Sequence, residues 1–283
     1  MRTRPEKNVD SSGDNTQHTS QWVGIGRAIG GAIIFSLPMM MTMEMWSLGF
    51  YISPIRLMCL ILVSLPLFYG ISAMVGFRKS KTIYDNAIDV LVAYALTFIA
   101  TGMVLAIFGI ITLDTHPEKI LSMLLLQAVP GSLGALLARD VVGQGSAQSE
   151  QDKRNYRDDL IILAAGALFL AFNLAPTEEM VLISYTMTNW HTLLLMIFTL
   201  LIMHAFAIAS SHATAADLQH WVAHRQVFLR ITCMGYLLAV VISLFMLWVF
   251  GSVDEHNLHN TIKVSVVLGF PAGIGAAAAR LIV

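Results

Sequence analysis

The chain has 283 residues, 56% of them hydrophobic and 12% charged, with a formal net charge of −1. Soluble domains carry roughly 25% charged residues, so this composition excludes an ordinary water-soluble fold and calls for a polytopic membrane protein. The near-neutral balance points to no partner by itself, and no nucleic-acid partner is expected.

Residues 1–22 are polar and read as a disordered cytoplasmic tail. They are too long and too polar to be the front of a cleaved signal peptide. A membrane-crossing helix needs about 20 mostly apolar residues. On that measure the spans fall at roughly 24–48, 55–76, 87–112 and 118–138, then at 159–183, 190–210, 228–250 and 261–282. Between the two groups lies a polar linker over residues 140–158. The expected architecture is therefore all-α, with about eight transmembrane helices.

Lys and Arg in the connections set the orientation. Of the 17 in the chain, only Arg56, Lys119 and Lys263 fall on one side of the spans so drawn. The other side holds the rest, among them Arg27, Arg139, Arg157, Arg230 and Arg280. Both termini are accordingly placed in the cytoplasm.

The two groups of spans repeat each other. GALFLAFNLAPTEEM at 166–180 echoes GAIIFSLPMMMTMEM at 31–45 and preserves the Gly, Ala, Thr, Glu and Met of Gly31, Ala32, Thr42, Glu44 and Met45. PGSLGALLAR at 130–139 and PAGIGAAAAR at 271–280 agree at five of ten positions, including the proline and the terminal arginine. The offsets are 135 and 141 residues, and a longer connection in the second copy accounts for the difference. Residues 23–139 and 159–283 thus read as two four-helix repeats (4+4). Units with an even number of spans face the same way, which is the parallel-repeat arrangement.

Glu44 and Glu179 are the first candidates for function. A carboxylate inside a span costs several kcal/mol unless it is paired or reaches water. On a continuous first helix Glu44 would lie about 26 Å beyond Arg27, near the outer interface, on a stripe running back through Met40, Leu37, Ile33 and Gly30. The repeat puts Glu179 at the same depth. Two carboxylates brought together could hold a cation or share a proton, with Thr42 and Thr177 as neighbouring oxygen ligands. Alternatively, both lie at the headgroup level and solvate helix ends.

Pro38, Pro176, Pro130 and Pro271 form a second set, since paired breaks in corresponding spans let unwound backbone line a cavity. Plain packing kinks are the alternative. Asp89, in the third span, and Arg230, at the repeat-equivalent position, either pair across the halves or stay solvated at the inner interface. Arg139 and Arg280 are expected to reach the inner headgroups or close helix C-termini. His204, His212, His220 and His224 lie in a cytoplasmic connection and lack a metal-site pattern. The methionines of MMMTMEM read as core packing. Cys59 and Cys233 sit in apolar runs without metal-type spacing and read as small hydrophobes. No nucleophile elbow, P-loop or dinucleotide fingerprint occurs, so no enzyme, catalytic residue or cofactor is expected.

The first span, with its motif RAxGGAxxFxxPMxxTMEMW, resembles a family of uncharacterised bacterial integral membrane proteins, from about residue 22 to the C-terminus. The resemblance implies a bacterial multi-pass protein and supplies no activity and no site residues. The function expected from the residues is a small-cation or proton channel or transporter built on the glutamate pair. The alternative is a non-transporting membrane scaffold or sensor that acts through its cytoplasmic loops.

Overall fold

The computed structural model describes residues 12–74, 82–112, 114–141, 155–210, 227–254 and 256–282. All regular elements among them are helices: α1 (Ser12–Met40), α2 (Met43–Tyr51), α3 (Pro54–Met74), α4 (Ile83–Ile107), α5 (Pro117–Val141), α6 (Tyr156–Leu174), α7 (Glu179–Thr186), α8 (Asn189–Ser210), α9 (Met234–Phe250) and α10 (Leu258–Ile282). A π-helical turn, Phe228–Cys233, leads into α9. Helix α1 starts at Ser12, so the polar N-terminal segment contributes its second half to a helix. Six helices are long and apolar enough to cross a bilayer, and up to eight spans result if each of two bent pairs is counted as one.

Those bent pairs correct the expected first and fifth spans. The stretches read as continuous over 24–48 and 159–183 each break near their outer end. Helix α2 leaves α1 at 84°, and α7 leaves α6 at 90°. The cause is local. Pro38 removes a hydrogen bond from the last turn of α1, and Thr42 is extended (φ −100°, ψ 133°). In the second case Pro176 follows the last residues of α6 and cannot continue it. The threonines serve both breaks alike. Thr42 Oγ1 donates to Met39 O at 3.2 Å, and Thr177 Oγ1 donates to Leu174 O at 2.8 Å, satisfying carbonyls that the helix ends leave orphaned.

Helices α5 and α10 are the inner elements. The apolar window of α5 is 72% buried and that of α10 61%, against 22% for α8. Small residues make this possible, because they let backbones approach where lipid offers no hydrophobic drive. A Cβ on Gly31 would come within 3.0 Å of Gly134 backbone, and one on Gly166 within 3.0 Å of Gly275 backbone. Helix α1 therefore lies on α5 as α6 lies on α10. Around each pair, α4 and α9 occupy corresponding places, as do α2 and α7.

The contact between the halves is less even. Helix α3 packs on α6 and α9, and Gly70 meets the Ile161 side chain. Its counterpart α8 makes no comparable packing on the first half. Phe35 and Phe169 meet between the halves with ring centroids 4.5 Å apart. Among the described residues the Phe35–Phe169 contact, the packing of α3 on α6 and α9 and a smaller contact of α5 with α6 hold the two units together.

Candidate functional site

Glu44 stands in the first turn of α2 and Glu179 in the first turn of α7, both exposed. Carboxylates there complement the positive end of a helix. The break before α2 takes Glu44 off the stripe that a continuous helix would have formed through Met40 and Gly30. Neither carboxylate makes a hydrogen bond or an ion pair among the described residues, and neither lines the cavities described below. Thr42 and Thr177 stand next to them with their hydroxyls directed to carbonyls.

The three cations on the same end of the bundle are all engaged. Arg56 pairs with Asp254 at 2.5 Å and lies over the Trp248 ring at 5.4 Å. Lys119 donates to Phe50 O at the end of α2, and Lys263 donates to Met187 O just past α7, at 2.6 Å in the latter case. Helix C-termini attract cations in this way. The outcome is an end of the molecule whose positive charges are matched while Glu44 and Glu179 are not.

The expected breaks at Pro130 and Pro271 are not formed, because α5 and α10 run on as helix through both prolines, and the four prolines stand in different environments. Pro38 is exposed and Pro176 is half-buried in the turn after α6. Pro271 lines an open apolar groove of about 790 Å³ between α7, α8 and α10. Pro130 is buried where α1, α4 and α5 meet, and this region holds the polar residues that sequence reasoning passed over. Ser36, Thr97, Thr101, Gln127 and Ser132 are all at most 1% exposed. Ser36 Oγ donates to Gln127 O at 3.3 Å. A Cβ on Gly131 would strike both Thr97 and Ser36, so the three helices touch at this level. Pro130 has no N–H for the carbonyl of Leu126. Gln127 Oε1 and Ser132 Oγ are buried with no hydrogen-bond partner.

Leaving such atoms unpaired costs about 1–3 kcal/mol each, so each needs a reason. Gln127 and Ser132 lie within one turn of the centre of α5 and Thr97 within one turn of the centre of α4, whereas Ser36 is near the end of α1. By the repeat offsets Ser36 corresponds to Ala171, Gln127 to Leu268 and Ser132 to Gly273. The second half nevertheless holds buried oxygens of its own, since Asn173 Oδ1, Tyr236 OH and Ser243 Oγ are likewise buried without a partner. A glutamine three residues before a proline in an otherwise apolar span was the signal available for the cluster around Gln127.

At the other end of the bundle, Arg280 donates to Asp159 Oδ1 at 3.0 Å, and both are about 15% exposed (15% and 14%). This replaces the expected headgroup contact of Arg280 with a tie between the start of α6 and the end of α10. Nearby, His204 Nδ1 lies 3.1 Å from Thr232 Oγ1 in the π-helical turn. Arg230 is exposed and pairs with no described residue, while Asp89 accepts from Ser72 Oγ at 3.5 Å. The tie between Asp89 and Arg230 is not formed. Met39, Met40 and Met45 pack in the core, as expected, whereas Met41 and Met43 are exposed. Both Cys59 and Cys233 are free and half-buried. His212, His220 and His224 lie outside the described residues, and so does most of the 140–158 linker. Among the described residues no three His, Cys, Asp or Glu side chains gather as a metal site.

A third feature lies between the halves: an apolar cavity of about 580 Å³. Its walls are corresponding faces of α1 and α6 and of α5 and α10, with Ile71 and Met74 of α3 closing one side. Among the described residues Arg27 is the one charged group on it.

A chain whose described residues form helices alone, with six to eight candidate spans packed through small residues, is a multi-pass integral membrane protein. The model of the family described as "Putative integral membrane protein (DUF2391)" matches residues 24–283, and the chain belongs to that family. No curated protein and no solved structure matches it.

Proposed function

We propose that the protein moves a small cation or proton across a bacterial inner membrane. The carrying observation is Gln127 Oε1, a carbonyl-type oxygen fully buried near the middle of α5, three residues before Pro130, with no donor to satisfy it. Intramembrane polar groups are expensive and are kept for pathways and ligands, and Pro130 leaves the carbonyl of Leu126 without its helical donor. Hydroxyl, amide and freed carbonyl oxygens are the ligands hard cations take. Glu44 and Glu179 then act as an acidic entrance that raises the local cation concentration. They need not share one ion.

Two further readings belong to this proposal. The chain is a duplication of a four-span unit, with both copies facing the same way. It is supported by the equal placement of α1 on α5 and of α6 on α10, and by the matching threonine-capped bends. Both termini are cytoplasmic, a reading supported by the scarcity of Lys and Arg at the end carrying Lys119 and Lys263.

The test is flux into proteoliposomes for protons, Na⁺, K⁺ and Mg²⁺, comparing wild type with Gln127→Leu and with Glu44→Gln/Glu179→Gln. Gln127→Leu is expected to lower flux at least tenfold. If wild-type vesicles carry no ion faster than empty ones, transport fails and the scaffold or sensor role takes its place.

A further inference from the structure

We propose that the cavity between the halves is a binding site for one anionic phospholipid, taken from the leaflet on the Arg27 side, with an acyl chain in the cavity and the phosphate on Arg27. This does not rest on the transport reading.

The cavity has the size of a ligand pocket, about 580 Å³ against the usual 300–1,000 Å³. Its walls offer carbon almost throughout: Ile34, Phe35, Ile162 and Phe169 face it, with Gly30 and Gly166 giving it width. The Phe35–Phe169 contact stands two helical turns beyond Arg27, about 12 Å along α1. That depth suits part of an acyl chain lying along the helices. Apolar walls without partner atoms forfeit dispersion contacts, and in a bilayer the acyl chains of neighbouring lipids are the abundant molecules that restore them.

Access follows from the unequal contact between the halves. On one side α3 closes the cavity with Ile71 and Met74. No residue of its counterpart α8 lines the opposite side, and Ile34 on the wall is 67% exposed. The cavity therefore opens sideways, in the direction from which a lipid arrives.

Arg27 selects the headgroup. It is half-buried at the rim and forms no ion pair with a described carboxylate. Arg280, at the same end, is already matched by Asp159. By the repeat offset Arg27 corresponds to Ile162, which also lines the cavity, so among the described residues the lining carries one positive charge. A guanidinium binds phosphate oxygens in a forked, two-bond geometry, and basic pockets between membrane helices hold anionic headgroups. One charge among the described lining residues and one chain-sized space match one lipid.

The test uses the purified full chain in nanodiscs of equal phosphatidylglycerol and phosphatidylethanolamine, with retained lipid counted by native mass spectrometry on release. Wild type is expected to keep about one phosphatidylglycerol, at roughly tenfold preference over phosphatidylethanolamine. Arg27→Gln is expected to keep a lipid and lose the preference, and Arg27→Lys to restore most of it. In Gly30→Leu the new side chain enters the cavity, since a Cβ at Gly30 meets nothing within 4 Å; both lipids are expected to be lost. Equal retention of the two lipids by wild type, or undiminished retention by a folded Gly30→Leu, overturns the proposal. Should Gly30→Leu not fold, the comparison of Arg27→Gln with Arg27→Lys decides alone.

Discussion

Gly31 and Gly134 bring the backbones of α1 and α5 so close that a Cβ on either would meet the other's carbonyl oxygen within 3.0 Å. Gly166 and Gly275 do the same for α6 and α10. The obstacle in each case is backbone, which cannot swing aside. Gly31→Ala or Gly275→Ala is therefore expected to destabilise the fold by about 1–3 kcal/mol through overpacking. Gly30→Ala, one residue away with open space around it, is expected to be neutral or slightly stabilising, within about 1 kcal/mol. Thermal unfolding of the three variants in one detergent separates them.

Asp159 and Arg280 join the ends of α6 and α10 in a site where both are shielded from solvent. Removing one partner leaves the other poorly solvated, and Asp159→Asn or Arg280→Gln should each cost about 1–3 kcal/mol, below the figure for a fully buried pair. The double variant is expected to be more stable than the sum of the single losses implies. A double-mutant cycle on unfolding midpoints measures that coupling; additive losses would show that the pair contributes nothing as a pair.

Lys263 reaches Met187 O beyond α7, and Lys119 reaches Phe50 O at the end of α2. Each cation satisfies a carbonyl that the short helix leaves open. Lys263→Met keeps the apolar stem and deletes the donor, so it should cost about 1 kcal/mol. Faster hydrogen exchange of the α7 amides, with α3 unchanged, is the expected sign of a local loosening.

Gln127→Leu distinguishes a transport role from a structural one by the signs of its effects. Removing a buried acceptor that has no partner should leave stability unchanged or raise it by up to about 2 kcal/mol. Transport should fall at the same time. A variant that is less stable and still transports would show that the amide is a structural member of the core.

Glu44→Gln/Glu179→Gln tests the acidic entrance through salt. Exposed charges act over about 10 Å at 0.1 M ionic strength and far less at 1 M. The double variant is expected to transport several-fold more slowly than wild type at low salt, with the two rates converging as salt rises. A deficit that persists at 1 M would mean that the carboxylates bind the ion directly.

Much of the architecture was legible because a bilayer demands it. Apolar runs of span length, the Lys and Arg asymmetry and the Gly/Ala motifs after Pro130 and Pro271 are read from the order of residues alone, and the helices stand where they point. The bends were harder. Pro38 and Thr42 were visible, yet a proline in a span also occurs as a mild kink. The turn of 84° rests on Thr42 taking an extended conformation and on α2 finding α5 through Gly49 against Met123. Gln127 was visible too. What its neighbours were, and that its oxygen would be left without a donor, depended on Ser36 and Thr97 arriving from two other helices.

By itself the sequence determined the membrane class, the helical segments, the internal echo and which end of the spans is poor in positive charge, since these follow from local hydrophobicity and from charge that cannot enter hydrocarbon. Only the tertiary structure decided where α2 and α7 turn, that Arg280 meets Asp159, that Ser36, Thr97 and Gln127 gather where three helices meet, and that a cavity rimmed by Arg27 lies between the two halves. Those facts depend on which faces of distant helices touch, and helix contacts in lipid are chosen by close shape and small residues rather than by any periodic pattern along the chain.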